Sequence, residues 1–290
     1  MKPKLTTTLA VVLLFISNLA MAIERDISFF VDDQKVVGTL NLPDDVINPD
    51  IVLIFHGFSG NRHELLINGV NEHFYDRLAR SLANKGFASL RIDFRDSGDS
   101  YGEWANTTFS KQIEDGNAAV EWILNQPGLK KSNISLIGWS QGGLVASHVA
   151  QDNPQVKAVA LWAPVTHPYL TYSRLLGDEL VLDAALSEED KLFEATLPWG
   201  TKTQLRTGFF NEILTINPIA AISDYKGPLL VIRGTKDELI LSADSWVKYH
   251  KGSNALIELD TDHSWSLFEG PDVIDNQLLP KTIGWLKANQ

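Results

Sequence analysis

Apolar and polar positions along the chain follow two periods, and they switch in a regular order. Asp26–Val31 and Val36–Leu42 are β-rich segments that flank the polar Asp32-Asp33-Gln34-Lys35, which predicts a β-hairpin. Ile51–Phe55 is an unbroken apolar run, as expected of a strand covered on both faces in a parallel sheet. Phe74, Leu78 and Leu82 then recur every four residues, the mark of one helix face. Ala88–Ile92 reads as another buried strand and runs into the polar loop Asp93 to Ser100. Ile113, Gly116, Val120 and Ile123 outline a second helix, closed by Pro127-Gly128. Ile134–Ile137 is a strand, Leu144, Val145 and Val149 belong to the helix after it, and Val156–Trp162 is the next strand.

The rhythm breaks at Thr166. From there to Ile222 the chain is acidic and aromatic and contains helical pieces in place of a clean βαβ unit. After Gly227-Pro228 the alternation resumes with the strand Leu229–Arg233, a helix near Ser242–His250, the strand Ala255–Leu259 and a last helix from about Asp272 to Ala288. Strands alternating with helices predict an α/β fold, a mostly parallel eight-stranded sheet with helices on both faces. Residues 166–222 then form an insertion that caps the edge where the strands end.

Composition narrows this picture. The chain has 290 residues, is 44% hydrophobic and carries a formal net charge of −11. An acidic surface argues against nucleic acid or an anionic membrane as the main partner. The first residues read as a secretory signal: Lys2 and Lys4, the apolar run Leu9 to Ile16, then Ala20-Met21-Ala22 as the cleavage site. The apolar run is short for a membrane span. The expected product is residues 23–290, exported to the periplasm or the medium, with no stable membrane insertion after cleavage. The oligomeric state is not legible. There is no cysteine, which excludes disulfides and thiolate chemistry.

The chemistry centres on Gly138-Trp139-Ser140-Gln141-Gly142-Gly143, placed between a predicted strand and a predicted helix. That context makes G-x-S-x-G a nucleophile elbow, in which a strained turn presents the serine beside free helix N–H groups. A serine nucleophile needs a base, and the base needs a group to orient it. Both should lie past the carboxyl ends of later strands. Asp237 follows the strand Leu229–Arg233 and is the leading acid, with Glu238 beside it as the alternative. His263 is the only histidine after the last strand and is the candidate base. His63, His73, His148 and His250 fall on predicted helices or helix starts and read as surface or packing residues. The oxyanion donors are expected to be the backbone N–H of Gln141, next to Ser140, and that of Phe58 in the loop His56-Gly57-Phe58. No metal or nucleotide cofactor is implied: there is no H-E-x-x-H and no G-x-G-x-x-G, and Asp93, Asp96 and Asp99 miss the calcium-loop spacing.

Taken together, H-G-F-S-G-N at 56–61, R-I-D-F-R-D-S-G-D-S-Y-G at 91–102, G-W-S-Q-G-G at 138–143, G-T-K-D at 234–237 and D-H at 262–263 resemble the α/β-hydrolase superfamily. Within it they are most similar to the bacterial cinnamoyl (feruloyl) esterases and related carboxylesterases. The resemblance implies the α/β-hydrolase fold, Ser140, Asp237 and His263 as triad, and a small-molecule ester as substrate. Asp96 departs from the group, which often has glycine there, so the turn must accommodate a Cβ. In the cap, Tyr169, Tyr172, Trp199 and Phe210 are the candidate substrate contacts, the competing reading being that such aromatics form the cap's own core. A peptidase or acyltransferase would use the same triad, and a non-catalytic binding protein is the remaining alternative.

Overall fold

The computed structural model describes residues 23–44 and 46–289. The stretch read as a signal, residues 1–22, lies outside the described residues. The first element is the expected hairpin. β1 (Ile23–Val31) pairs antiparallel with β2 (Gln34–Leu42) across Asp32-Asp33. Both turn residues have positive φ, 48° and 58°, the pair that a two-residue type I′ loop requires and that aspartate tolerates. β3 (Ile51–Phe55) and β4 (Ala88–Asp93) are buried at every position. Between them α1 (Phe74–Ala83) buries Phe74, Leu78 and Leu82 on one face. α2 (Phe109–Asn125) is capped by Thr108, whose hydroxyl accepts the Lys111 N–H, a contact that contributes about 1 kcal/mol to a helix. β5 (Ile134–Trp139) turns through Ser140 into α3 (Gln141–Asp152), and β6 (Val156–Trp162) follows.

The insertion holds α4 (Pro168–Leu176), α5 (Asp178–Ala185), β7 (Leu192–Thr196), β8 (Lys202–Arg206) and α6 (Thr207–Ile213). The helices agree with the helical reading of this stretch. The antiparallel β7–β8 pair was not expected and corrects it. Thr203 and Leu205 point inward while Lys202, Gln204 and Arg206 are exposed, the two-residue period of a half-buried strand. The turn between the strands carries Gly200 at φ 88°. α7 (Pro218–Asp224), capped by the Asn217 side chain, packs on α3. β9 (Leu229–Gly234), α8 (Asp244–Tyr249), β10 (Asn254–Leu259), a π-type turn at Ile274–Leu278 and α9 (Leu279–Asn289) complete the chain.

The main sheet has eight strands in the order β1-β2-β4-β3-β5-β6-β9-β10. β1, β2 and β4 meet antiparallel, and every other pairing is parallel. The strand order reverses between β3 and β5, so the crevice past their carboxyl ends is where an open α/β sheet places its site. Phe55 pairs with Gly138 there, which sets the start of the His56–Phe58 loop beside Ser140. β6 and β9 are parallel neighbours, so the chain must cross from the end of one to the start of the other. α7 makes that crossing, and the insertion sits ahead of it.

Candidate active site

The elbow is built by backbone crowding. Ser140 adopts φ 55°, ψ −117°, a region that costs a side-chain-bearing residue about 1–3 kcal/mol and persists only when surroundings enforce it. Here they do. The Ser140 N–H donates to Trp162 O at 2.9 Å, and its carbonyl accepts from Val165 and Gly143 N–H. A Cβ on Gly138 would lie 2.2 Å from Gly142 O, and one on Gly142 would lie 2.2 Å from Phe55 O. Glycine is therefore required at both places for the strand and helix to pass.

Three side chains converge on this turn from three loops. His263 Nε2 lies 3.1 Å from Ser140 Oγ, and His263 Nδ1 lies 2.7 Å from Asp237 Oδ2. The other oxygen of Asp237 accepts the N–H groups of Leu239 and Ile240 at 2.9 and 3.0 Å. The acid is thus fixed on both sides. An acceptor at Nδ1 makes that nitrogen the proton carrier and leaves Nε2 to accept from the serine. Glu238, the alternative acid, is exposed and does not meet His263. The His263 loop is held by Asp262, whose Oδ1 accepts the N–H groups of Ser264 and Ser266 at 2.9 Å each. Trp139, for which the sequence suggested no role, donates its indole N–H to His263 O at 3.2 Å.

The second loop lies across the elbow. Gly60 N–H donates to Gly57 O at 3.2 Å, and Phe58 sits inside that turn. The Phe58 N–H has no partner among the described residues, and the Gln141 N–H, first in α3, is one of the donors a helix leaves unpaired. Both are free to meet an anion. His56 shapes the loop through contacts of Nδ1 with Gly57 O at 2.9 Å and Nε2 with Ser97 Oγ at 3.1 Å. Burial lowers its basicity, which keeps the ring neutral. Beneath the loop, Glu64 Oε1 accepts the Gly57 N–H at 3.0 Å. Burial pushes this carboxyl up to about 8, with Asp93 adding to the rise and the Gly57 N–H opposing it. No sequence pattern pointed to Glu64. Asp96 accommodates its Cβ in a left-handed conformation, φ 70°, with its carboxylate 2.8 Å from Lys111 Nζ.

The four cap candidates do not present free polar tips to Ser140. Tyr172 is fully buried, and its hydroxyl is engaged with Gln141 Oε1 at 2.5 Å. Phe210 is buried against Phe193 and Phe209 in the cap's own core. Tyr169 donates to Asp178 at 2.6 Å at the surface, and Trp199 is 61% exposed in the hairpin turn. A cavity of about 330 Å³ beside the Phe58 turn is lined by Ser59, Asp96, Ser97 and Trp104. Trp104 also stands at 5.1 Å from the Phe58 ring and donates its indole N–H to Thr203 of the cap. Among the described residues no group of His, Asp and Glu is arranged to hold a metal ion, and no helix is long and apolar enough to cross a membrane.

With this geometry in view, residues 50–211 match the profile of the α/β hydrolase fold family. The chain belongs to that family. As an α/β hydrolase it is similar in fold to Est1E from Butyrivibrio proteoclasticus, solved with ferulic acid bound, with a TM-score of 0.68, 20% identity and coverage of 90% of this chain and 98% of that one. In sequence it is 31% identical over 127 residues to an Escherichia coli 31.7 kDa protein from the traX-finO intergenic region, covering 43% of this chain and 41% of that protein. It is 24% identical over 163 residues to human acylamino-acid-releasing enzyme, covering 55% of this chain and 21% of the enzyme. This α/β hydrolase therefore spans less than half the length of either relative.

Proposed function

We propose that this α/β hydrolase is a serine carboxylic-ester hydrolase. One observation carries the reading: the unbroken chain from Asp237 through His263 to Ser140 Oγ, with bonds of 2.7 and 3.1 Å. In the proposed reaction Ser140 Oγ attacks the ester carbonyl while His263 Nε2 takes its proton. Asp237 holds the imidazole in the required tautomer and stabilises the imidazolium. The N–H groups of Phe58 and Gln141 receive the tetrahedral oxyanion, each such donor contributing roughly 3–4 kcal/mol in a comparable hydrolase. His263 then protonates the leaving alcohol, and water, activated by the same imidazole, releases the acid from the acyl-enzyme. This chemistry requires no metal or cofactor.

The proposed substrates are small aromatic esters of the cinnamoyl or feruloyl type, or short-acyl esters. The fold shared with a protein that binds ferulic acid supports the first. The crowding of Phe58, Tyr172 and Phe209 close to the elbow supports the second. The second reading is a serine peptidase, favoured by the similarity to acylamino-acid-releasing enzyme. The pattern of Lys2, Lys4, Leu9 to Ile16 and Ala20-Met21-Ala22 supports an exported enzyme of the periplasm or medium.

The test is turnover by the purified protein and its Ser140→Ala variant on aryl acetates and longer-acyl aryl esters, methyl ferulate and a dipeptide amide. The expected result is ester hydrolysis that falls about 10⁶-fold on losing the serine. Ester turnover that survives the substitution refutes the proposal, and amide cleavage faster than ester cleavage moves it to peptidase.

A further inference from the structure

Tyr172 in the cap touches both residues offering oxyanion donors. Its hydroxyl donates to Gln141 Oε1 at 2.5 Å. Its ring lies 5.7 Å from the ring of Phe58. We propose that Tyr172 is a positioning residue for the oxyanion hole, coupling the cap to the two backbone donors, and that it does not bind substrate. The inference rests on the ester-hydrolase reading of Ser140.

The donor order follows from valence. A side-chain amide oxygen only accepts, so the tyrosine must donate to it. Burial raises the phenol well above its ordinary range, so the hydroxyl keeps that proton. The Gln141 amide nitrogen then donates to Gln112 Oε1 at 2.7 Å, and the Gln112 nitrogen donates to Thr107 Oγ1 at 3.1 Å. Tyr172, Gln141, Gln112 and Thr107 are all buried, so each group that lost its partner would be left unsatisfied away from water. This chain anchors Gln141 from its side chain while its own N–H stays free. On the other donor, the Phe58 ring is wedged among Trp104, Tyr172 and Phe209. Both donors are therefore restrained through side chains that meet the cap. Moving α4 off the elbow would break the Tyr172 hydrogen bond and its ring contact together, leaving Gln141 on Gln112 and Phe58 on Trp104 and Phe209.

A substrate contact would need the Tyr172 hydroxyl to exchange its buried partner for a ligand. It would also need the ring to leave Phe109 and Phe209, at 5.5 and 5.1 Å. The positioning role keeps every contact as it stands.

The experiment compares the wild type with Tyr172→Phe, which keeps the ring and deletes the hydroxyl, and with Gln141→Met, which keeps the backbone donor and deletes the acceptor. Two probes are used: an aryl trifluoromethyl ketone, whose hemiketal with Ser140 puts an oxyanion in the hole, and the carboxylic acid product. Expected for both variants is a kcat on aryl acetate about 10-fold lower with KM within about twofold, the response to losing a contact that acts in the transition state. Affinity for the ketone falls by about the same factor, while affinity for the acid is unchanged. Equal changes for ketone and acid, no change in either, or a rise in KM alone for methyl ferulate overturns the positioning role. If one variant does not fold, the other gives the same comparison. A wild type whose ester turnover does not depend on Ser140 overturns the hydrolase reading and this inference with it. Ser140-dependent turnover with unaltered variants overturns this inference alone.

Discussion

The glycines of the elbow and those of the cap are held to their identity by different forces. At Gly138 and Gly142 a Cβ would sit 2.2 Å from backbone atoms of neighbouring elements. At Gly177 and Gly200 it would meet nothing within 4 Å, although both have positive φ, 98° and 88°. In the elbow the space itself is occupied by main chain, and main chain does not yield without moving a strand. In the cap only the local conformation asks for glycine, and the strain of any other residue there stays within the turn. The first kind of constraint joins distant elements; the second stays within a turn. The turn at the strand ends is therefore specified by distant elements, whereas at Gly177 and Gly200 the demand is local.

Gly142→Ala is the sharpest probe of that contrast. The methyl must displace Phe55 O or His56 O, at 2.2 and 2.6 Å, and with them the Phe58 turn. A shift of about 1 Å at the donors is expected to lower kcat at least 100-fold, read by ester turnover of folded protein. Activity within a few-fold of wild type would mean that the elbow has slack.

An intermediate effect is expected beneath the same turn. The Glu64 carboxyl is raised from its ordinary 4.5 to about 8 by burial. Between those values the folded protein keeps a proton that the unfolded chain has released. The stability from neutral Glu64 is complete below the lower value and is lost as pH rises through the upper one. Glu64→Gln mimics the protonated acid at every pH. Raising pH from 5 to 8 should then lower the Tm of the wild type more than that of the variant, by about 5 °C. Parallel Tm curves would show that Glu64 does not titrate there. The groups around it are Asp93, the Tyr75 phenol, which is itself raised by burial and by Glu64, and His73, whose Nδ1 contacts the Glu64 carbonyl.

Gly200→Ala should do least. It places a side chain in a left-handed turn with open space around it, at a cost of about 1 kcal/mol in stability. Ester turnover is expected to stay within about twofold, and a thermal melt with an activity assay reads both. A large loss of activity would show that the hairpin turn feeds into the site after all.

The same contrast explains what could be read in advance. β3 is buried throughout and reads as an unbroken apolar run, whereas β4 and β5 are equally buried but carry Ser89, Arg91, Asp93 and Ser135 among their apolar residues. Ser140, Asp237 and His263 each follow a strand that the pattern reveals, and the structure brings them within hydrogen-bond reach of one another. The β7–β8 hairpin is hidden because its strands are short and largely exposed, with Ala195, Thr203 and Leu205 buried and Phe193 half-buried on the inward face. Tyr172 and Phe210 stayed open between two readings for a different reason. A pocket wall and a small core draw on the same aromatic residues, and only coordinates tell which side of the ring is filled. The Trp139 bond to the His263 carbonyl spans 124 residues, and no local period records such a contact.

The crossing from β6 to β9 sets the cap apart from the sheet. Because α7 already serves as the crossover helix, residues 163–217 are a single long connection from β6 to α7. Loop closure scales with the logarithm of length, so enlarging a five-residue connection to about fifty residues costs the sheet only about 2 kcal/mol. Such a segment can be exchanged as a cassette without disturbing one strand register. The condition is chemical rather than topological: a transplanted lid must bring a hydroxyl to the place where Tyr172 now meets Gln141, or leave that buried amide without its donor.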